Sequence, residues 1–315
     1  MEVIAMDRTW DVVIVGGGAA GLNAALVLGR ARRRVAVVDA GSPRNAPASH
    51  MQGFLSRDGL PPAELLAIGR DEVAGYGVQV LADRVDSIEP GFAVHLASGR
   101  ALEARRVLIA TGAGDELPDI PGVRERWGRD LLHCPYCHGW EVRDRPLGVL
   151  GTHPLAAEHA QLVRQWSDDV VFFAHTSELP AADRTGLEAR GIEIVDGEVG
   201  RLLVENDRLA GVELADGRVV PRMAVFIRPA NVPHPDGLLS GLGCRLDEAG
   251  FPVVDGSGRT SVAGVWAAGN VADPRAQVVT SAGAGSAAAI AINADLVQED
   301  VRSAVARSTD GGRAS

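Results

Sequence analysis

Residues 11–39 read DVVIVGGGAAGLNAALVLGRARRRVAVVD. The apolar run Val12–Val15 ends at Gly16-Gly17-Gly18-Ala19-Ala20-Gly21, and a helical pattern follows to about Arg30. A second apolar run, Val35–Val38, closes on Asp39. Strand, glycine turn, helix, strand and acid stand here in the order a dinucleotide-binding unit requires. Gly16 makes the tight turn, Gly18 lets backbone amides approach a pyrophosphate, and Gly21 lets helix and strand pack closely. The helix opening at Ala19 and Ala20 turns its free N–H groups toward the phosphates. Asp39 is placed to accept from a ribose hydroxyl. A glycine-rich turn alone would carry little weight; the two strands and the acid make the reading specific.

Downstream of this unit, short strand-like segments at Val78–Leu81, Phe92–Leu96 and Ala101–Glu103 read as a small β-meander. It runs into the apolar strand Val107–Ala110 and then Thr111-Gly112-Ala113. From Pro146 the pattern restarts: strand Leu147–Leu150, helix Pro154–Gln165, strand Val170–Ala174. A second meander follows at Ile192–Val195, Val199–Leu203 and Gly211–Leu214. Near the C-terminus Val262–Ala268 leads to Gly269-Asn270-Val271-Ala272-Asp273, and a small-residue helix runs from about Thr280 to Val297. Residues 306–315 are small and polar and are expected to be disordered. The fold class is α/β, with two Rossmann-like, three-layer nucleotide-binding domains, each carrying a small meander.

Composition agrees with two domains: 315 residues at the usual ~150 each. All 31 basic residues are arginine, against 41 acids, for a net charge of −10. The absence of lysine excludes Schiff-base or P-loop lysine chemistry. The acidic balance argues against nucleic acid, whose affinity rests on phosphate neutralisation. No apolar stretch approaches the ~20 residues of a membrane span. The N-terminal stretch carries acids before its apolar run and reads as a strand rather than a signal peptide. Three cysteines make no secreted disulfide framework, so the expected compartment is cytoplasmic.

Two of those cysteines sit in His133-Cys134-Pro135-Tyr136-Cys137-His138-Gly139-Trp140-Glu141. Cysteines at i and i+3 of a helical turn lie within disulfide reach. Pro135 favours a helix start just after Cys134, and a helix N-terminus lowers thiol pKa. A zinc site would need a second ligand pair, and no other CxxC exists, so the reading is redox with no metal. His133 and His138 flank the pair. An imidazole near pKa 6.5 accepts a thiol proton at neutral pH, which suits dithiol oxidation; the bland reading of each is a helix-surface residue.

The second nucleotide-type turn departs from its pattern. It reads Gly151-Thr152-His153-Pro154-Leu155-Ala156, with His153 where the second glycine belongs and Pro154 removing a backbone N–H. After the next strand stand His175-Thr176-Ser177-Glu178, with no arginine for a 2′-phosphate. The expectation is that this domain has lost NADPH binding and persists as a scaffold for the CxxC.

These elements together resemble the low-molecular-weight thioredoxin reductase family of flavoproteins: GGGAAG at 16–21, ATG at 110–112, CPYC at 134–137, GVWAAGNVAD at 264–273 and TSAGAG at 280–285. The resemblance implies an FAD domain of residues 1–118 and 246–305 and an inserted domain, 119–245, carrying the dithiol. It also implies a homodimer. Gly16, Gly18, Ala19, Ala20, Gly21 and Asp39 would hold the ADP half of FAD, with Thr111 and Gly112 closing over the adenine side. Gly269 and Asn270 would meet the ribityl chain, Asn270 standing where the family usually has Asp. Gln277, Val278 and Val279 match the segment abutting the isoalloxazine, and Cys137 matches the flavin-proximal thiol. An acid usually follows the second cysteine in the reductases proper. HCPYCHGWE is instead similar to the gliotoxin and holomycin dithiol oxidases of the same superfamily.

That resemblance implies an FAD-dependent dithiol oxidase. It would close a disulfide in a small-molecule dithiol of the antibiotic or secondary-metabolite type, with O2 as acceptor and H2O2 as product. The alternatives are a thioredoxin-reductase-type enzyme using NADPH or an atypical donor, and a non-catalytic redox-sensing flavoprotein. Cys244 reads as a buried structural thiol, and His50, His95, His159 and His234 as surface or core residues without a role. Trp140 reads as packing rather than as a cleft wall. Residues 228–235, RPANVPHP, form a stiff loop that either faces substrate or merely connects.

Overall fold

The computed structural model describes residues 9–311. The chain divides into two compact units. One gathers residues 9–44, Ala63–Gly114 and 232–311; the other takes Asn45–Pro62 and Asp115–Asn231. This division differs from the expected 1–118, 119–245 and 246–305 at the boundary, which falls after Gly114 rather than after residue 118, and in two longer stretches, each with a packing reason. Leu238, Leu239 and Cys244 fill a core cluster of the first unit alongside Val85 and Ile88, which draws 232–245 into it. Residues 45–62 go with the second unit, where Pro47 lies against Gly128 and Gln52 donates to Glu141 Oε1 at 3.1 Å.

In the first unit the fingerprint strand Trp10–Val15 lies at the centre of a parallel sheet, between Val35–Asp39 and Ala101–Ile109. Val265–Ala267 adds to the C-terminal half of Ala101–Ile109, and Ala93–Leu96 and Val85–Ile88 add antiparallel to its N-terminal half. One long strand thus serves both the parallel sheet and the meander, where two strands were expected. The strand at Gln79–Ala82 pairs parallel with Val35–Asp39, so it belongs to the main sheet and not to the meander. The reason is helix Pro62–Ala74, which carries the chain back for a parallel pairing. The parallel strands are apolar on both faces, and the two faces pack separate cores around Leu28 and Trp266 and around Val38 and Ile109.

The C-terminal helix runs Val278–Gly311, well past Val297, so residues 306–311 are helical rather than disordered; residues 312–315 lie outside the described part. Alanine and arginine sustain a helix well. Acids on its middle turns also anchor it: Asp295 and Glu299 pair with Arg106 at 2.6 and 2.5 Å, and Asp300 pairs with Arg33 at 2.9 Å.

The second unit repeats the plan. Its parallel sheet runs Glu193–Val195, Val170–Phe173, Leu147–Leu150, Ala224–Ile227, Leu131–Leu132. Residues 192–195, expected in the second meander, form the outer parallel strand, because helix Ala181–Ala189 precedes them as a crossover. The meander itself is Val199–Glu205, Arg208–Leu214 and Val219–Pro221.

Candidate active site

At the first glycine turn the backbone does what the sequence pattern requires. Gly16 has φ +106° and its N–H donates to Val38 O at 2.8 Å. A Cβ on Gly21 would stand 1.9 Å from the Gly16 carbonyl oxygen, so only glycine lets helix Ala19–Arg30 sit this close to its strand. Nothing lies within 4 Å of where a Gly18 Cβ would be, which leaves that side of the turn open to a phosphate. Asp39 is fixed by the turn, its Oδ1 accepting from the N–H groups of Gly17 (3.2 Å) and Gly41 (3.3 Å).

The other expected cofactor contacts lie in the same unit. The Thr111 hydroxyl is buried without a hydrogen-bond partner, an orphan that a bound group would satisfy, and Gly112 beside it has φ +85°. Gly269 is buried at φ +80°, where a Cβ would lie 2.8 Å from that of Ala20. Asn270 Nδ2 donates to Asp273 O (3.0 Å) and Ala276 O (2.9 Å). Both amide hydrogens are therefore used, and what Asn270 has left to offer is the Oδ1 acceptor, the chemistry a carboxylate would supply. Gln277 and Val278 are half-buried and Val279 is exposed, at the opening turn of the C-terminal helix. An open phosphate side, an orphan hydroxyl and a ribose-type acid fit FAD.

In the second unit Cys134 and Cys137 are joined by a disulfide with a Cα–Cα distance of 5.2 Å. Cys134 caps the single helical turn Pro135–His138, its carbonyl accepting from the N–H groups of Cys137 and His138, each at 3.1 Å. Pro135, at the first helical position, is buried, and Gly139 closes the turn where a Cβ would meet the Pro135 oxygen at 2.5 Å and the Trp166 ring at 2.8 Å. Tyr136 stacks edge-on against Trp166, with ring centroids 5.4 Å apart. The dithiol turn is thus clamped by packing while both cysteines remain partly accessible. Burial holds His138 below the ordinary imidazole pKa, opposed by the charge of Glu141. Trp140 is exposed at 66%, under the Arg143 guanidinium, rather than packed in the core.

The second glycine turn closes on itself. His153 Nδ1 accepts the Leu155 N–H at 3.0 Å and the His153 carbonyl accepts that of Ala156 at 2.9 Å. With Pro154 contributing no N–H, these first amides of helix Ala156–Val163 are consumed internally. At the expected 2′-phosphate position His175 Nδ1 accepts from Val199 N–H at 3.0 Å. Cys244 is buried, its thiol pushed up by desolvation and in contact with Thr260 Oγ1 at 3.5 Å.

His159 is the residue that sequence reading passed over. It is 5% exposed on helix Ala156–Val163, and its ring stands edge-on to His133 at 6.2 Å and to Phe226 at 6.1 Å. Burial foremost, then the neighbouring His133 and Arg228, depress its pKa to about 4. The available signal was a histidine interrupting the apolar stripe of Ala156, Ala160 and Val163.

Comparison with known proteins fits this arrangement. The family model described as pyridine nucleotide-disulphide oxidoreductase matches residues 10–286. The crystal structure of HlmI superposes with a TM-score of 0.94 at 60% identity, covering 96% of this chain and 97% of its own. An oxidoreductase from Agrobacterium tumefaciens gives a TM-score of 0.87 at 36% identity, over 92% of this chain and 99% of its own. Thioredoxin reductase sirT of Leptosphaeria maculans is 31% identical over 315 residues, 93% of this chain and 96% of its length. Two Rossmann-type units, an FAD-compatible turn and a CxxC in the second unit agree with these matches. The chain belongs to the pyridine nucleotide-disulphide oxidoreductase family as a thioredoxin reductase-like FAD flavoprotein.

Proposed function

We propose that the protein is a dithiol oxidase that closes an intramolecular disulfide in a small-molecule dithiol of the secondary-metabolite type, with O2 as electron acceptor. The observation that carries this reading is the contrast inside the second unit: a CxxC disulfide beside a nucleotide turn whose amides are already taken. A substrate thiolate attacks Cys134 Sγ, breaking the Cys134–Cys137 bond and releasing Cys137 as a thiolate. The second substrate thiol then attacks the substrate sulfur of the mixed disulfide and frees Cys134. The substrate is oxidised by two electrons and the cysteine pair reduced. His138, held neutral by burial, takes the thiol proton, with His133 on the other flank. The residues of the first unit named above would hold FAD, which would supply a two-electron acceptor for the reduced dithiol and pass the electrons to O2 to give H2O2. The similarity of HCPYCHGWE to the gliotoxin and holomycin dithiol oxidases supports the substrate class.

The expected homodimer has support in the C-terminal helix. Ile290, Val297, Val301 and Val305 are exposed at 62, 42, 52 and 56%, and their spacing keeps them on one face. Among the described residues no helix is long and apolar enough to cross a membrane.

A second reading, a thioredoxin-reductase-type disulfide reductase, is favoured by the names of relatives such as the one from Leptosphaeria maculans. Oxygen uptake with a panel of small dithiols, set against NADPH consumption with oxidised thioredoxin, separates the two. Uptake without NADPH consumption supports the oxidase, and the reverse supports the reductase.

A further inference from the structure

Three neighbouring parallel strands of the second unit, Leu131–Leu132, Ala224–Ile227 and Leu147–Leu150, end at the same edge of their sheet. His133, Arg228 and Gly151-Thr152 follow those ends directly. Open α/β sheets take ligands beyond such carboxyl ends. Two polar atoms in this neighbourhood are left unsatisfied. The Thr152 hydroxyl is buried with no hydrogen-bond partner, and so is Nδ1 of the buried His159. Arg228 is half-buried and has no carboxylate partner among the described residues. The register pairs Ile227 with Leu150 and Phe226 with Leu132, which brings Arg228, Gly151-Thr152 and His133 to neighbouring positions at this edge. His133 ties it to the dithiol: its ring meets His159, and Cys134 is the next residue.

The dithiol exchange uses none of Thr152, His159 or Arg228. A dinucleotide pyrophosphate would need the turn amides that His153 has taken. What remains is one permanent positive charge and a free hydroxyl, the complement of a single monoanionic oxygen group. We propose that this crevice binds the carboxylate of a small thiol substrate, with Arg228 as its counter-charge and Thr152 as hydrogen-bond donor, and so presents the thiol to Cys134. The assignment rests on the dithiol-oxidase reading for its substrate and deepens it by naming a charged handle. Arg228 is the specificity residue. His159 is buried beside His133 and hydrogen-bonds its backbone.

Lipoate and lipoamide, which differ only in carboxylate against neutral amide, test this on the flavin-loaded protein with its disulfide oxidised. Titration calorimetry should show lipoate binding at least tenfold tighter than lipoamide. Arg228→Met should erase that preference, and Arg228→Lys should keep part of it, with flavin absorbance and melting temperature unchanged in both. The reduced pair should show the same preference in KM for oxygen uptake, with kcat little changed. Equal binding of lipoate and lipoamide by the wild type would overturn the proposal. So would NADPH binding that Arg228→Met abolishes, since the crevice would then be a phosphate site. If lipoate binds with the predicted dependence on Arg228 but neither reduced compound is oxidised, the site stands and the oxidase reading fails. If both dithiols are oxidised with no preference in binding or KM, the oxidase reading stands and this site fails.

Discussion

The two units solve one topological problem, strand to glycine turn to helix to strand, with opposite treatment of the turn. At Gly16–Gly21 the backbone is stripped of side chains, Asp39 is locked by the Gly17 N–H, and the space beside Gly18 is open. At Gly151–Ala156 a histidine side chain occupies the turn and accepts one of the amides a phosphate would use. Both turns support well-packed parallel sheets. Folding requires only that the turn amides find acceptors, from a ligand or from the chain itself. Binding requires that they stay available. The second sheet thus stands on a turn that satisfies its own amides, and the same unit carries the dithiol.

The largest effect expected from breaking this contrast is at the dithiol. Cys134→Ser or Cys137→Ser should reduce dithiol-dependent oxygen uptake to the uncatalysed background, while the protein stays yellow because the first unit is untouched. Retained uptake in both single variants would show that the cysteine pair is not the electron conduit.

His138→Gln should slow the reaction by about 10²–10⁴-fold, the range for a lost general base, with the flavin spectrum unchanged. Because burial lowers the His138 pKa, the imidazole is already neutral at pH 7. Wild-type kcat/KM should fall on acidification, as the ring protonates, with a midpoint below the ordinary imidazole value. A decline centred above pH 6.5 would contradict the assignment.

A matched pair of turn substitutions sharpens the comparison directly. Gly21→Ala places a methyl against the Gly16 carbonyl and should cost about 3 kcal/mol, toward the upper end of overpacking, together with much of the bound FAD. His153→Ala should leave FAD content unchanged and shift stability by about 1 kcal/mol, since it removes one local acceptor. Melting curves and flavin-to-protein ratios report both. The smallest effect belongs to Glu141→Gln: its charge raises the His138 pKa, so its removal should move the acid limb of the rate profile to lower pH.

The chain-local features were legible in the sequence. The Gly16–Gly21 pattern with Asp39, the restart at Leu147 and the CPYC turn are each spelled within a few dozen residues. What pairing partners decide was not legible. Gln79–Ala82 looks like a meander strand until helix Pro62–Ala74 is seen to carry it into the parallel sheet. Residues 306–311 have the composition of a disordered segment, yet they continue a helix whose acids Asp300, Glu299 and Asp295 pair with Arg33, Arg105 and Arg106 from distant strands and turns. His159 looked idle because its neighbours, His133 and Phe226, lie 26 and 67 positions away along the chain. In the sequence Arg228 is one residue of a stiff loop; the strand order gives it its neighbours.

The central claim is that electrons enter the second unit from thiols and not from a nicotinamide. Anaerobic stopped-flow mixing of the flavin-loaded protein with a small dithiol, and separately with stoichiometric NADPH, tests it most directly. The account predicts that the dithiol bleaches the yellow colour within one turnover time and that NADPH leaves it unchanged over the same interval. Rapid bleaching by NADPH, with the dithiol inert, would contradict it.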